Sequence, residues 1–414
     1  FLALAKHGVW SFHFSEMEFN GCPPSFWELV LNQKDVSVIL LQHHTSTQQG
    51  YVIDEAFYNK SWSLLETSNF VYEGSVSLLT KNLNKLEEGL FEVREAYSSK
   101  KRNNLNPSGL HLLKYAQIFY KNLFRKIYEV LSKRYLKSRY DCWTIFIGSG
   151  DFTRADLNKL KPIEPPPYQF WADPFIVEYD RELYLFFENF DYPSLKGKIS
   201  CSKINGNQLG DIQDVLEIDT HLSYPCIFKE NGDVFLMPES ASSNRLTIYR
   251  CIEFPNKWEE YSHAFEGEQI LDAQVYFDDE NTKWLFLNKT TPSGPNDGEL
   301  HIYQMDSISM ENLIPHKRNP VIINSRKARN GGPIFKHGKD LIRPSQYNSE
   351  GIYGRGLNLQ RIVKLSLEEY EEETITTIYP DFKEGLSGIH HLHQTEENFV
   401  IDAVYRKFKR QYFK

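Results

Sequence analysis

A hairpin pattern that recurs five times constrains the fold of this 414-residue chain more than any other feature. Trp171–Asn189 reads WADPFIVEYDRELYLFFEN. Ser223–Ser240, SYPCIFKENGDVFLMPES, lies under it without a gap, so Asp173 falls on Tyr224, Pro174 on Pro225 and Glu188 on Glu239. One inserted residue brings Leu271–Lys289 into line, with Asp272 on Asp173 and Asn288 on Glu188. Asn330–Gln346, one residue shorter, and a weaker Gly388–Val404 complete the series. Each copy is two β-rich runs around a polar or glycine turn, which is a hairpin. Further β-rich text follows, such as RLTIYRCI and ELHIYQM. The spacing of roughly 50 residues is that of a four-stranded propeller blade. The expectation is a mainly β fold, a five-bladed β-propeller over 141–405. Cys142–Gly150, with Trp143, would supply the outer strand that closes the last blade.

That topology gives the polar residues a meaning. The start of each first strand and the end of each second strand meet at one mouth of the axis. Asp173 with Glu188, Tyr224 with Glu239, and Asp272 with Asn288 would gather there, joined by Arg343, Gln346, His390 and His391. Carboxylates collected in one funnel repel and lose solvation unless they bind a cation, share protons or work on a ligand. The plainer reading is that they close turns and bond orphan backbone groups at strand ends. Trp171, Tyr224 and Tyr347 would offer rings to sugar faces, and Arg343 a bidentate grip on a carboxylate or phosphate. A divalent cation on the axis is the one cofactor the cluster leaves open.

Propellers with axial carboxylates resemble glycoside hydrolase families 43, 32 and 68. The resemblance implies Asp173 as base or nucleophile, Asp272 as orienting carboxylate and Glu239 as general acid. Such chemistry needs two carboxyls of separated pKa, roughly 5–5.5 Å apart for retention or 6.5–9.5 Å for inversion. A more specific resemblance covers about residues 141–405. FWADPFI, HLSYPCIF, FLMPES, YRCIEFPNKWE, KWLFLNKT, NPVIINSRKARNGGPIF and LIRPSQ are together similar to the N-terminal domain of plant glucosamine inositolphosphorylceramide transferases. Similar domains occur in bacterial proteins linked to surface polysaccharide synthesis. The resemblance implies a carbohydrate-active propeller of cell-surface glycan biosynthesis. It would bind, and transfer or cleave, a sugar, sugar-phosphate or nucleotide-sugar. The rival reading is a non-catalytic glycan-binding or scaffold module.

Residues 1–100 resemble the second half of an α/β formyltransferase catalytic domain. His13 matches the family histidine, Gly21, Pro23 and Trp27 its loop and helix, Val36–Val38 its strand and Gly50 its last glycine. Ser11 replaces the family asparagine and Gln48 stands where its aspartate belongs. Formyl transfer needs a base network and oxyanion donors. The resemblance therefore implies a degenerate or truncated domain without folate, and a working sugar N-formyltransferase is the third reading.

Residues 101–140 read as a basic amphipathic linker helix. Leu112, Tyr115, Ile118, Phe119, Leu123, Ile127 and Leu131 form an apolar series, and Lys114, Lys121, Arg125, Lys126, Lys133, Arg134, Lys137 and Arg139 fill other positions. Such a helix either lies on an anionic membrane surface or packs its stripe as a connector. KPIEPPPYQF is a stiff strap into the first blade, and 406–414 a basic tail. A net charge of −8 argues against a nucleic-acid partner. Five scattered cysteines without a CxxC pair suit a reducing cytoplasm, with membrane association through the helix. No apolar run reaches the ~18 residues of a membrane span. The opening Phe-Leu-Ala, without Met, leaves room for a preceding segment.

Overall fold

A computed structural model describes residues 5–14, 22–43, 50–93, 96–97, 106–132, 139–290 and 298–408. From Arg139 onward the described residues form five antiparallel sheets. The first three start at Gln169–Tyr179, Ser223–Glu230 and Ile270–Phe277, each paired with the second strand of its sequence copy. The fourth holds Phe335–His337, Asp340–Ser349, Ile352–Leu365 and Tyr370–Ile378. The fifth runs Leu386–Gln394, Asn398–Phe408, Arg139–Ser149 and Pro162–Ile163. Trp143 pairs with Val404, so the strand that precedes the first sheet in sequence joins the last one. These two paired strands pass both expected ends of the propeller, one starting at Arg139 and the other ending at Phe408, which takes Arg406–Phe408 out of the tail.

Local chemistry makes these hairpins. In the second sheet, Asn231 and Gly232 sit at φ 51° and 90° between the paired Glu230 and Asp233, the left-handed pair that an Asn-Gly two-residue turn requires. The inner strands read apolar because both faces are covered. Phe175, Phe186, Tyr224, Leu236, Val275 and Leu285 join the first three sheets in one core. Trp284, Phe286, Ile302 and Ile362 join the third to the fourth, and Leu357, Leu359, Ile389 and Phe399 the fourth to the fifth. Ile145, Val400, Trp171 and Leu185 join the fifth back to the first. The fold is mainly β and of propeller type, each sheet packed on the next.

The fourth copy departs from its expected hairpin. Its first strand shrinks to Phe335–His337, and the preceding segment runs as a loop tied down by an Asn330–Ser345 bridge. A Cβ on Gly332, at φ 128°, would lie 1.9 Å from Leu392 O, so the loop passes the fifth sheet only as glycine.

The front region is a three-stranded antiparallel meander, Val9–Phe14, Asp35–His43 and Gly50–Asn59. The helix α1, Phe26–Val30, α2, Leu64–Glu87, and α3, Gly109–Val130, surround it. Ser63 caps α2 by accepting from Glu66 N. Gly74 lets α2 reach the sheet, because a Cβ there would meet the Tyr58 ring at 2.4 Å. The front region is also bonded to the propeller. Asp35 Oδ2 accepts from Arg326 Nε at 2.5 Å and from Ser349 Oγ at 3.0 Å. Ser325 N donates to Phe57 O, Glu350 N to Lys34 O and Gly351 N to Asn59 Oδ1.

Candidate functional site

The aligned positions Asp173, Tyr224 and Asp272 share one backbone state. All three are left-handed, at φ 50°, 43° and 43°, and each begins a register shift in its strand pair. Non-glycine residues held there at β-bulges are strained, and such strain concentrates at functional sites. The turn aims each N–H at a carboxylate. Asp173 N donates to Asp402 Oδ2 at 3.0 Å, Tyr224 N to Asp173 Oδ2 at 3.2 Å and Asp272 N to Glu239 Oε2 at 3.0 Å. The carboxylates therefore do bond orphan backbone groups, as the plainer reading holds.

More acid is gathered than those bonds need. Glu188 pairs across from Ala172, and Glu239 from Ser223, so both second-strand ends do meet first-strand starts. Asp173, Glu188, Asp272 and Asp402 are buried and Glu239 nearly so. Few basic groups face them. Arg329 Nε lies 2.5 Å from Asp272 Oδ2, and Arg329 Nη2 4.0 Å from Glu239 Oε2. His390 Nδ1 is 2.8 Å from Asp402 Oδ1 and its Nε2 3.4 Å from Asp173 Oδ1. His221 Nε2 lies 3.4 Å from Glu188 Oε1. Gln346 Nε2 donates to Asp272 Oδ2 at 3.1 Å.

The cluster splits its acids into two kinds. Burial works to raise Asp173, but the charge of His390 and the hydrogen bond and charge of His391 outweigh it and hold the carboxyl at about 2. Burial drives Glu188 well above the usual carboxylate range, and the charges of Asp173 and Glu239 add to it. Burial and the charge of Asp272 do the same to Glu239, with Arg329 opposing. His390 is raised, because Asp402 and Asp173 overcome the burial that would lower it.

Several expected contacts are absent from the mouth. Arg343 is wholly buried, with Nε and Nη2 each donating to Glu372 at 2.9 Å and Nη2 to Lys327 O at 2.7 Å. It braces the fourth sheet, and no ligand carboxylate or phosphate reaches it. Trp171 packs on Phe187 between the fifth and first sheets. Tyr224 is wholly buried, and its OH accepts from Gly332 N at 3.1 Å. Asn288 Nδ2 donates to Glu299 O and Ala328 O, and its Oδ1 accepts from Asn330 N, so both ends of the amide are engaged within the fold. His391 is sealed between Phe175 and Tyr224, with Nδ1 3.6 Å from Asp173 Oδ1. Tyr347 leans edge-on against Tyr379.

The residues that the hairpin argument missed are Arg329, Asp402, Tyr353 and Trp143 as a mouth residue. The Tyr353 ring, 45% exposed, lies 5.3 Å from the Arg329 guanidinium and 5.6 Å from His390, whose ring is 4.0 Å from Trp143. Asp402 had a signal: it is an acid inside the apolar run FVIDAV, at a second-strand end like Glu188. Arg329 and Tyr353 had none. The front region holds both in place, through Arg326 and Ser325 on one side and the 349–352 turn on the other.

Asp173, His390 and Asp402 bring ligand-type atoms within 4.8 Å of one another. They do not suit a divalent cation, because Asp402 already accepts from the backbone of Asp173, His390 and His391 and from the His390 ring. A carboxylate–imidazole–carboxylate relay fits that donor set.

The front-region candidates form no comparable cluster among the described residues. Ser11 Oγ lies 2.7 Å from His43 Nε2, and the His13 ring packs on Tyr97 at 5.2 Å. Gln48 lies outside the described residues.

Fold and site together define a propeller-type β protein with an acid-rich axial mouth. The sequence profile described as glucosamine inositolphosphorylceramide transferase 1, N-terminal, matches residues 162–393, and the chain belongs to that family. It is 32% identical over 224 residues to glucosamine inositolphosphorylceramide transferase 1 of Oryza sativa subsp. japonica, covering 53% of this chain and 30% of that protein. To the Arabidopsis thaliana protein of the same name it is 33% identical over 211 residues, covering 50% of this chain and 27% of that one. The match thus spans 30% and 27% of the length of these relatives, under a third in each case. Among solved structures, a thermostable family-43 glycoside hydrolase is similar at a TM-score of 0.42 and 11% identity, covering 58% of this chain and 90% of that one. An exo-β-1,3-galactanase from Phanerochaete chrysosporium is similar at 0.42 and 11%, covering 64% of each chain.

Proposed function

We propose that this chain is a carbohydrate-active propeller of glycan assembly, with the five sheets as blades of one ring and a sugar seated over the axial cluster. The observation that carries the reading is the opposed displacement of neighbouring carboxyls. Asp173 is held ionised at about 2 while burial and neighbouring carboxylates push Glu239 and Glu188 well above the usual carboxylate range. Paired titratable groups pushed apart in this way are what acid–base chemistry at a glycosidic bond uses. In this reading Glu239 gives its proton to the leaving oxygen and Asp173 activates the attacking water or acceptor hydroxyl. Asp272, clamped by Arg329 and Gln346, orients the pair. Tyr353 and Trp143 offer ring faces to the sugar. Arg329 takes over the anion-recognising role expected of Arg343, which suits a sugar-phosphate or nucleotide-sugar.

The second reading is a glycan-binding or scaffold module, favoured by the backbone bond that each of Asp173, Glu239 and Asp402 accepts. The experiment measures binding and product formation side by side over a panel of nucleotide-sugars and sugar-phosphates. The catalytic reading expects Asp173→Asn to bind as the parent does and to lose turnover. Weakened binding with no parental turnover to lose would instead establish the module.

A further inference from the structure

The helix α3 has two apolar faces, and the front region uses one. On that side the Tyr115 ring packs on Phe26, His111 on Trp27 and Phe119 on Trp62. Asn122 Nδ2 donates to Trp62 O, and the Lys126 ammonium lies 4.5 Å from the Trp62 ring. The packed-connector reading therefore holds for this face. On the opposite side Leu110, Leu113, Tyr120, Phe124, Ile127 and Tyr128 stand in solvent, Leu110 at 78% and Phe124 at 67% exposure. At 3.6 residues per turn they fall in a stripe of about 100°. Leu112, counted in the apolar series from sequence, is exposed as well.

We infer that this outer face lies in the interface of an anionic lipid surface. Charge complementarity selects that occupant. Lys114, Lys121 and Arg125 adjoin one edge of the stripe, on a chain whose net charge is −8. The same three residues and Lys60 line a cleft of about 690 Å³ behind that edge, where four cationic side chains outnumber Glu66 and Glu350. Large apolar side chains with two tyrosines, flanked by lysine and arginine, suit the boundary between acyl chains and headgroups. Among the described residues no helix is long and apolar enough to cross a membrane, so this contact lies flat. The inference stands apart from the sugar-site reading.

The test is flotation of the full chain with vesicles of phosphatidylcholine alone, or with about 30% phosphatidylserine. Binding should need the anionic lipid and should fall about tenfold or more between about 0.1 M and 0.5 M salt. Leu113→Ser with Phe124→Ser should lower binding at least about tenfold, because the apolar anchor is lost. Lys114→Glu with Lys121→Glu should do the same through charge. All four side chains are exposed, so both variants should keep the parental melting temperature. Equal binding to neutral and anionic vesicles, no binding to either, or variants that bind like the parent would overturn the inference. So would a parental dimer that the apolar variant turns into monomer, since the face would then belong to a second copy.

Discussion

Two buried acid clusters in this molecule are built on opposite principles. In the front region Asp54 lies 3.1 Å from Lys81 Nζ and 3.5 Å from Lys85 Nζ, and also accepts from Asn82 Nδ2 and Glu55 N. One carboxylate is met by two ammonium groups. On the propeller axis five acids face Arg329 and the imidazoles of His390, His391 and His221. The first arrangement minimises the cost of burying charge. The second accepts that cost, which shows as Glu188 and Glu239 carboxyls pushed well above the usual carboxylate range. A cluster that only ties strands together needs no such excess; one that must hold a proton ready for transfer does.

The largest effect should come from breaking the balanced cluster. Asp54→Ala leaves Lys81 buried without its carboxylate, and should cost about 3–5 kcal/mol in denaturant unfolding. On the axis, Asp173→Asn keeps an acceptor for Tyr224 N. It should lower turnover about 10²–10⁴-fold with a far smaller stability change, if Asp173 acts as a base. A stability loss as large as that of Asp54→Ala would make the two clusters alike.

A third change probes the link between the regions. Asp35→Ala frees Arg326 and Ser349 from the front sheet. It should cost about 1–3 kcal/mol and weaken ligand binding, because the segments carrying Arg329 and Tyr353 lose their anchor. Unaltered affinity in the folded variant would show that the front region is a bystander.

The smallest effect has the most telling sign. Glu188 is raised in the folded state, so between the unfolded pKa of about 4.3 and its folded value the folded chain binds one more proton. Stability from this group is therefore greatest at low pH and falls as pH rises through that window. Glu188→Gln, which imitates the protonated form, should raise Tm at pH 8 by roughly 1 °C per kcal/mol relieved in a chain of 414 residues. Asp173 runs the other way: its stabilisation is present above the unfolded pKa near 3.9 and is lost as pH falls toward about 2.

Sequence made the strand-end acids legible because hairpin periodicity fixes which residues meet. Asp173, Glu188, Glu239 and Asp272 came together on that rule, and the same rule extends to Asp402. It failed for Arg343, whose partner Glu372 sits two strands away, on a strand beyond the hairpin. It failed for Arg329, carried by a loop that Gly332 lets approach the fifth sheet and that Leu392 N ties there by donating to Gly331 O. The linker misled in another way. A single helical period cannot tell an apolar residue packed inward, such as Phe119, from one left outside, such as Phe124.

The central claim is that the axial mouth stores a proton on a glutamate at neutral pH. Carboxyl-carbon NMR of glutamate-labelled chain, titrated from pH 4 to pH 9, reads this directly. The account predicts at least one glutamate carboxyl still protonated at pH 7, with its signal lost in Glu239→Gln or Glu188→Gln. Every glutamate ionised below pH 6 would contradict it.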